Sequence, residues 1–134
     1  MKTKISKKKH QTLFLIDDED IWLETMQTVL DGESYNVITA DSGIKALDKL
    51  AKVKPDLILS DVRMPVMNGF ELYDKIKNNP KLNTIPFVFM SSLDDYDARR
   101  VAKSLGATDY VTKPFDTEEI KRVVLDLLQK YKNR

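Results

Sequence analysis

The stretch that decides the fold is Leu13–Leu30, LFLIDDEDIWLETMQTVL, in which a short apolar run leads through an acidic turn into an amphipathic segment. The apolar run is continuous, which suits a strand of a parallel sheet that is covered on both faces. After the turn, apolar side chains recur with helical spacing, on a stripe that includes Trp22, Met26 and Leu30. This stretch therefore predicts one strand followed by one helix.

The same alternation repeats along the rest of the chain. The five apolar runs are Leu13–Ile16, Tyr35–Thr39, Leu57–Leu59, Phe87–Met90 and Tyr110–Val111. Amphipathic segments with helical spacing separate them, and a further one follows the last run. Strand–helix alternation of this kind predicts the α/β class, with an open, doubly wound parallel sheet and right-handed crossovers.

Local signals predict where several helices begin and end. Asp20 is expected to be the N-cap of the first helix, and Asp116, followed three residues later by Glu119, is expected to start the last one. A fourth helix is expected at about 94–105. Gly106 then stands where a glycine commonly ends a helix.

Composition excludes several kinds of chemistry. The 134 residues are 42% hydrophobic and 32% charged, which is typical of one soluble globular domain, and we expect it in the cytoplasm. The chain has no cysteine, which excludes disulfides, thiolate metal sites and cysteine nucleophiles. Its single histidine, His10, excludes zinc sites built on several histidines. No apolar run approaches the roughly 18 residues of a membrane-spanning helix, so no membrane partner is expected.

The first ten residues form a basic segment. Five lysines lie within the first nine residues, and subtracting them from the net charge of +1 leaves −4 for the rest. We expect a disordered arm at residues 1–10 and one domain at 11–134. No aromatic residue interleaves the lysines, so direct binding of nucleic acid is not expected.

Polar residues follow the apolar runs, at the ends of the predicted strands. In an open parallel sheet these ends share one edge, where ligands bind. The residues expected there are Asp17, Asp18, Glu19, Asp20, Asp61, Ser91, Ser92 and Lys113.

Three carboxylates gathered at one edge would repel one another unless a cation compensates them. Asp17, Asp18 and Asp61 offer only oxygen ligands, which favours Mg²⁺. A carboxylate beside Mg²⁺ and the ammonium of Lys113 is well placed to accept a phosphoryl group, to which Ser91 could donate a hydrogen bond. Taken singly, these residues have ordinary alternatives as solvated acids, a satisfied hydroxyl and a surface charge.

Four motifs in this order resemble the receiver domain of two-component response regulators, over roughly residues 11–130. They are Leu15–Glu19 (LIDDE), Leu57–Gly69 (LILSDVRMPVMNG), Met90–Ser92 (MSS) and Asp109–Phe115 (DYVTKPF). The resemblance implies a flavodoxin-like fold, with a five-stranded sheet of strand order 2-1-3-4-5 and helices on both faces. It also implies a signalling switch that assists its own phosphorylation and dephosphorylation, and not an enzyme in the usual sense.

The resemblance assigns roles at the acidic edge. Asp61 matches the phosphoacceptor, Asp18 a direct Mg²⁺ ligand and Asp17 an acid that acts largely through water. The backbone carbonyl of Arg63 matches a further metal ligand, with Asp61 itself completing the set. The Arg63 side chain is expected either to shield the phosphoryl group or to lie in solvent.

The resemblance also assigns the switch. Ser91 matches the hydroxyl that moves toward the phosphoryl group, and Lys113 matches the lysine that pairs with it. A cis peptide is expected at Lys113–Pro114. Tyr110 matches an aromatic residue whose rotamer reports the state, although a half-buried strand aromatic that does not switch is an equal alternative.

The expected partners follow from the same resemblance. A histidine kinase or phosphotransfer protein would supply the phosphoryl group. A downstream protein would bind the surface formed by the fourth helix, the fifth strand and the fifth helix, and phosphorylation could also produce a homodimer. We expect a stand-alone receiver, with a fragment of a longer regulator as the alternative.

Two other functions compete with this interpretation. A haloacid-dehalogenase-type phosphatase also uses an aspartate after its first strand, but its Asp-x-Asp-x-Thr/Val pattern fails here, where Asp18–Trp22 reads DEDIW. A degenerate receiver that binds partners without phosphorylation is the other alternative.

Overall fold

The computed structural model describes residues 10–31 and 35–132, and there strands alternate with helices as the sequence predicts. Apart from His10, the basic arm expected at residues 1–10 lies outside these ranges. Within them, no helix is long and apolar enough to cross a membrane. The strands are β1 (Gln11–Ile16), β2 (Tyr35–Ala40), β3 (Leu57–Asp61), β4 (Phe87–Ser92) and β5 (Asp109–Lys113). The helices are α1 (Asp20–Asp31), α2 (Gly43–Leu50), α3 (Gly69–Lys77), α4 (Tyr96–Ser104) and α5 (Thr117–Lys130).

The strands form one parallel sheet in the order β2-β1-β3-β4-β5. This confirms the predicted fold class and strand order. The middle strand, β3, is buried at every residue. A strand covered on both faces must be apolar throughout, which is why it reads in the sequence as a continuous apolar run.

Helices cover both faces of the sheet, because successive side chains of each strand point to opposite faces. Phe14 and Ile16 of β1 pack in a core that α2, α3 and α4 cover. Leu13 and Leu15 of the same strand pack in a second core, which α1 and α5 cover. The predicted stripe of α5 supplies the second core with Ile120, Val124, Leu127 and Leu128.

Three strands continue beyond their apolar runs into the polar residues that follow. In β3 the ladder runs to Asp61, which lies in register with Met90. In β4 and β5 it runs to Ser92 and Lys113, which lie in register with each other. The sheet itself therefore positions the polar residues at its carboxyl edge.

The helix ends agree with most of the local signals. Asp116 is the N-cap of α5, although its side chain accepts from the N–H of Glu118 and not from Glu119. Gly106 follows α4 with φ +76°. The expectation for Asp20 was wrong, because α1 already begins there and the carbonyl of Glu19 accepts the first backbone hydrogen bonds. The negative charge of Asp20 still lies in the first turn, where it interacts favourably with the helix dipole.

Candidate functional site

A cleft of about 350 Å³ opens at the carboxyl edge of the sheet. The loops after β1 and β3, together with the ends of β3, β4 and β5, supply its walls. Its lining consists of Asp18, Glu19, Asp61, Arg63, Ser91, Ser92 and Lys113. Residues that are far apart in sequence meet here because the parallel strands that carry them end at one edge.

Lys113 lies among three carboxylates. Its Nζ is 2.6 Å from Oδ2 of Asp17, 3.2 Å from Oδ1 of Asp61 and 3.6 Å from Oε1 of Glu19. The side chain is only 7% exposed. Burial by itself lowers the pKa of Lys113, but the hydrogen bond to Asp17 and the negative charge of Asp61 outweigh it, so that the pKa is raised. The ammonium therefore remains charged at neutral pH.

Asp17 is fully buried beneath the cleft and does not line it. One of its oxygens accepts from Lys113 and the other from the backbone N–H of Glu19, at 3.0 Å. Burial raises the pKa of Asp17, while these hydrogen bonds and the charge of Lys113 pull it down. Asp17 thus anchors the lysine at the bottom of the site.

Asp61 ends β3 and is 5% exposed. Burial raises its pKa to about 6, and the negative charge of Asp17 adds to this effect while Lys113 opposes it. The carboxylate of Asp61 is therefore held in a place that disfavours its negative charge. An additional cation would relieve this cost.

The backbone of Gly69 approaches Asp61 closely. The N–H of Gly69 donates to the carbonyl of Val62 at 2.8 Å. A Cβ at this position would lie 2.4 Å from the carbonyl oxygen of Asp61. A glycine is required here so that the start of α3 can pack beneath the end of β3.

The donor set of the site fits a hard divalent cation. One carboxylate oxygen from each of Asp17, Glu19 and Asp61 lies within 4.8 Å of the others. Carboxylate oxygens are the ligands that Mg²⁺ prefers. The sequence grouped Asp17 and Asp61 with Asp18, which lines the same cleft but does not belong to this group of three. Glu19 belongs to the acidic run of the sequence. Its approach to Lys113 depends on the direction of its side chain, which the sequence does not show.

Ser91 is held by Asp95, a residue outside the sequence motifs of the acidic edge. Its hydroxyl donates to Oδ2 of Asp95 at 3.0 Å. Nε and Nη2 of Arg63 donate to the same carboxylate at 2.8 and 2.9 Å. The Arg63 guanidinium holds the pKa of Asp95 well below its usual range. The Arg63 side chain thus forms an ion pair with Asp95. The sequence predicted that it would shield the phosphoryl group or lie in solvent, and neither expectation included this contact.

Tyr110 lies in β5, three residues before Lys113. The residue is half-buried, and its ring packs against the core under α2, α3 and α4. Among the described residues its hydroxyl is the buried side-chain polar atom that has no hydrogen-bond partner. The Arg99 guanidinium lies 5.7 Å from the ring centroid.

Two further features lie next to Lys113. The peptide bond between Lys113 and Pro114 is cis. The ring of Trp22 lies 5.0 Å from Nζ of Lys113 and 5.1 Å, between centroids, from the ring of Phe115. The chain contains a single tryptophan, so this contact offers an optical probe of the site.

Comparison with known proteins agrees with this geometry. The family model described as the response regulator receiver domain matches residues 13–125. The protein PilG of Pseudomonas aeruginosa is 34% identical over 108 residues, which cover 81% of this chain and 80% of PilG. The chemotaxis response regulator CheY4 of Vibrio cholerae has a similar structure, with a TM-score of 0.82 and 28% identity over 90% of this chain and 100% of that one.

Longer regulators also contain a similar region. The transcriptional regulatory protein CrdR of Helicobacter pylori is 36% identical over 109 residues, which cover 81% of this chain and 51% of CrdR. The chain spans about half the length of several curated transcriptional regulators that it matches, and about a quarter of another.

Proposed function

Since the chain belongs to the family of response regulator receiver domains, we propose that it is a phosphorylation-controlled switch of a two-component or phosphorelay system. Receiver domains are signalling domains and not enzymes in the usual sense. Asp61 accepts the phosphoryl group, and a histidine kinase or a phosphotransfer protein supplies it. The observation that carries the proposal is the position of Asp61, nearly buried, 3.2 Å from the Lys113 ammonium and beside two more carboxylates.

The transfer requires a carboxylate oxygen and charge compensation. An oxygen of Asp61 forms a bond to phosphorus while the bond from phosphorus to the imidazole nitrogen of the donor breaks. The electron pair of the broken bond stays on that nitrogen. Lys113 neutralises charge on the phosphoryl oxygens, because its ammonium already lies against the attacking carboxylate. Such positioning is the part of the reaction that the receiver contributes itself.

The residues that would hold Mg²⁺ are Asp17, Asp18, Asp61 and the backbone carbonyl of Arg63, with Glu19 as an addition that the geometry supports. The chemistry that a bound Mg²⁺ supplies is positive charge against the carboxylates and the phosphoryl oxygens. Glu19 and Asp17 already have the Lys113 ammonium as a partner. The exposed carboxylate of Asp18 is not among the ion-pair partners of Lys113, and this supports Asp18 as a direct ligand.

Phosphorylation adds negative charge and acceptor oxygens in the cleft, toward which Ser91 and Lys113 are drawn. Ser91 precedes α4 and Lys113 ends β5, so that both connect the cleft to the surface of α4, β5 and α5. This surface is where a downstream protein, or a second copy of the phosphorylated chain, would distinguish the two states. Tyr110 lies within it. The proposal covers a stand-alone receiver and, as the alternative, a receiver within a longer regulator.

Acetyl phosphate with Mg²⁺ tests the proposal, with intact mass as the measurement. We expect wild type to gain the mass of one phosphoryl group and to lose it slowly on standing. Asp61→Asn should show no gain, whereas Asp74→Asn, which makes the same change on the exposed face of α3, should behave like wild type. No gain in wild type would leave the degenerate receiver, and sustained hydrolysis of p-nitrophenyl phosphate would support the phosphatase.

Trp22 fluorescence tests the metal ligands separately. We expect Mg²⁺ to quench it and EDTA to restore it. Asp18→Asn should raise the half-saturating Mg²⁺ concentration more than Glu19→Gln does. The opposite order would assign the direct contact to Glu19, and a flat titration in wild type would contradict the metal site.

A further inference from the structure

Asp95 connects the cleft to the first turn of α4. Its carboxylate accepts four hydrogen bonds, two from Arg63, one from the Ser91 hydroxyl and one from the N–H of Ala98 at 3.1 Å. The last of these makes Asp95 the N-cap of α4. A carboxylate offers about four lone-pair positions, so these contacts occupy it fully. One side chain thus joins the switch hydroxyl, the loop after β3 and the start of a helix.

The Ser91 hydroxyl can serve only one acceptor at a time. A serine carries a single O–H proton, and here that proton lies on Oδ2 of Asp95. Ser91 is 2% exposed and lines the same cleft as Asp61. The acceptor oxygens of a phosphoryl group on Asp61 would therefore compete with Asp95 for this proton.

Arg63 strengthens the hold of Asp95 on Ser91. It donates two parallel hydrogen bonds to the carboxylate, a geometry that fixes both oxygens in place. The Asp95 side chain is only 15% exposed, whereas the Arg63 side chain is 62% exposed. Asp95, which accepts the Ser91 proton, is thus the less exposed partner of this pair. Arg63 holds it in place from the solvent side.

We propose that Asp95 is a positioning residue of the switch. Its hydrogen bond with the Ser91 hydroxyl, made at the N-cap of α4, keeps that hydroxyl from the phosphoryl group until this hydrogen bond breaks. The inference rests on the proposed function, since it concerns the same cleft. It implies that Asp95 lowers the affinity of the cleft for a phosphoryl group. It also implies that a hydrogen bond from Ser91 to the phosphoryl group directly changes the contacts of Asp95 at the first turn of α4.

Beryllofluoride, which mimics a phosphoryl group on an aspartate, tests this inference in saturating Mg²⁺, with Trp22 fluorescence as the measurement. Asp95→Ser is the informative variant, because serine is as good an N-cap as aspartate but is too short to hold Arg63. We expect beryllofluoride to bind Asp95→Ser about tenfold more tightly than wild type, the order expected when one competing charge-assisted hydrogen bond is removed.

Two controls separate this role from charge and from helix stability. Asp97→Ser removes the same charge from the same helical turn, where Asp97 pairs with Arg100 in solvent, and should leave the affinity unchanged. In a Ser91→Ala background, Asp95→Ser should no longer tighten binding, because the contested proton is gone. The half-saturating Mg²⁺ concentration should stay the same in Asp95→Ser, since Asp95 does not belong to the acidic group.

The outcomes distinguish this inference from the function on which it rests. No beryllofluoride response in wild type overturns both. A response in wild type that Asp95→Ser leaves unchanged, or a gain that persists in the Ser91→Ala background, overturns the role of Asp95 alone. If Asp95→Ser unfolds, Asp95→Asn takes its place, because asparagine also caps helices but offers an N–H where Arg63 needs an acceptor.

Discussion

The ammonium of Lys113 lies closer to Asp17, at 2.6 Å, than to Asp61, at 3.2 Å. The Lys113–Asp17 pair is buried on both sides and joins the end of β5 to the turn after β1, residues 96 positions apart in the chain. Lys113 therefore has a structural role that does not depend on the proposed phosphorylation. It compensates a carboxylate that no solvent reaches.

Removal of Lys113 should destabilise the protein as well as disturb the switch. Lys113→Ala leaves Asp17 buried and without its cation, and breaking a buried pair in this way costs about 3 kcal/mol of unfolding free energy. We expect urea unfolding at pH 7.5 to show this loss, and Asp17→Asn in the same background to recover part of it. The phosphorylated form of Lys113→Ala should also lose its coupling to partner binding.

Lys52→Ala is the matched control, because Lys52 is exposed in the loop after α2. It should change stability by less than about 0.5 kcal/mol. Equal stability of wild type and Lys113→Ala would contradict the buried pair.

The raised pKa of Asp61 predicts a dependence of stability on pH in EDTA. The folded-state pKa is about 6 and the ordinary value is 3.8, so the folded state binds the proton more tightly than the unfolded state does. This contribution to stability is complete below about pH 4 and is lost as the pH rises through about 6. At pH 7.5 the charge of Asp61 thus costs stability.

Asp61→Asn removes this charge. We expect it to raise the unfolding free energy by about 3 kcal/mol at pH 7.5, since one pKa unit corresponds to about 1.4 kcal/mol, and by far less at pH 4. Urea titrations at both values measure the difference, with Asp74→Asn as the comparison. A gain that is the same at both pH values would show that burial of the charge is not its cause.

Much of the site was predictable because strand ends of a parallel sheet meet at one edge. This rule alone gathers Asp17, Asp61, Ser91 and Lys113. The apolar runs underestimate the lengths of the strands, since β3 and β5 continue through Asp61 and Lys113. A ladder of backbone hydrogen bonds does not depend on the polarity of the side chains that it carries.

The contacts of Asp95 were not predictable in the same way. An aspartate before a helix signals an N-cap, and the structure places it there. Its pairing with Arg63, 32 positions earlier, depends on where two loops run and on the rotamer of a long side chain. No periodicity in the sequence carries that information. The contact between Glu19 and Lys113 was also not predictable, because it depends on the direction of one side chain within a turn.

The hydroxyl of Tyr110 predicts an increase in stability when it is removed. It is buried, and no described residue pairs with it, so Tyr110→Phe should raise the unfolding free energy by about 1 kcal/mol. Tyr73→Phe is the matched control, because the Tyr73 hydroxyl donates to the carbonyl of Leu105 at 3.2 Å. Its loss should lower stability by a similar amount. A decrease in both variants would mean that the Tyr110 hydroxyl has a partner after all.

The contact between Gly69 and Asp61 separates an effect on the site from an effect on stability. Gly69→Ala would press a methyl group against the Asp61 carbonyl, so it should lower the unfolding free energy by about 2 kcal/mol and slow phosphorylation by acetyl phosphate. Gly106→Ala should lose about 1 kcal/mol because of its positive φ, yet nothing lies within 4 Å of its added methyl group. Its phosphorylation rate should therefore match that of wild type. Equal rates in the two variants, measured by intact mass at a temperature where both are folded, would contradict the idea that Gly69 positions the phosphoacceptor.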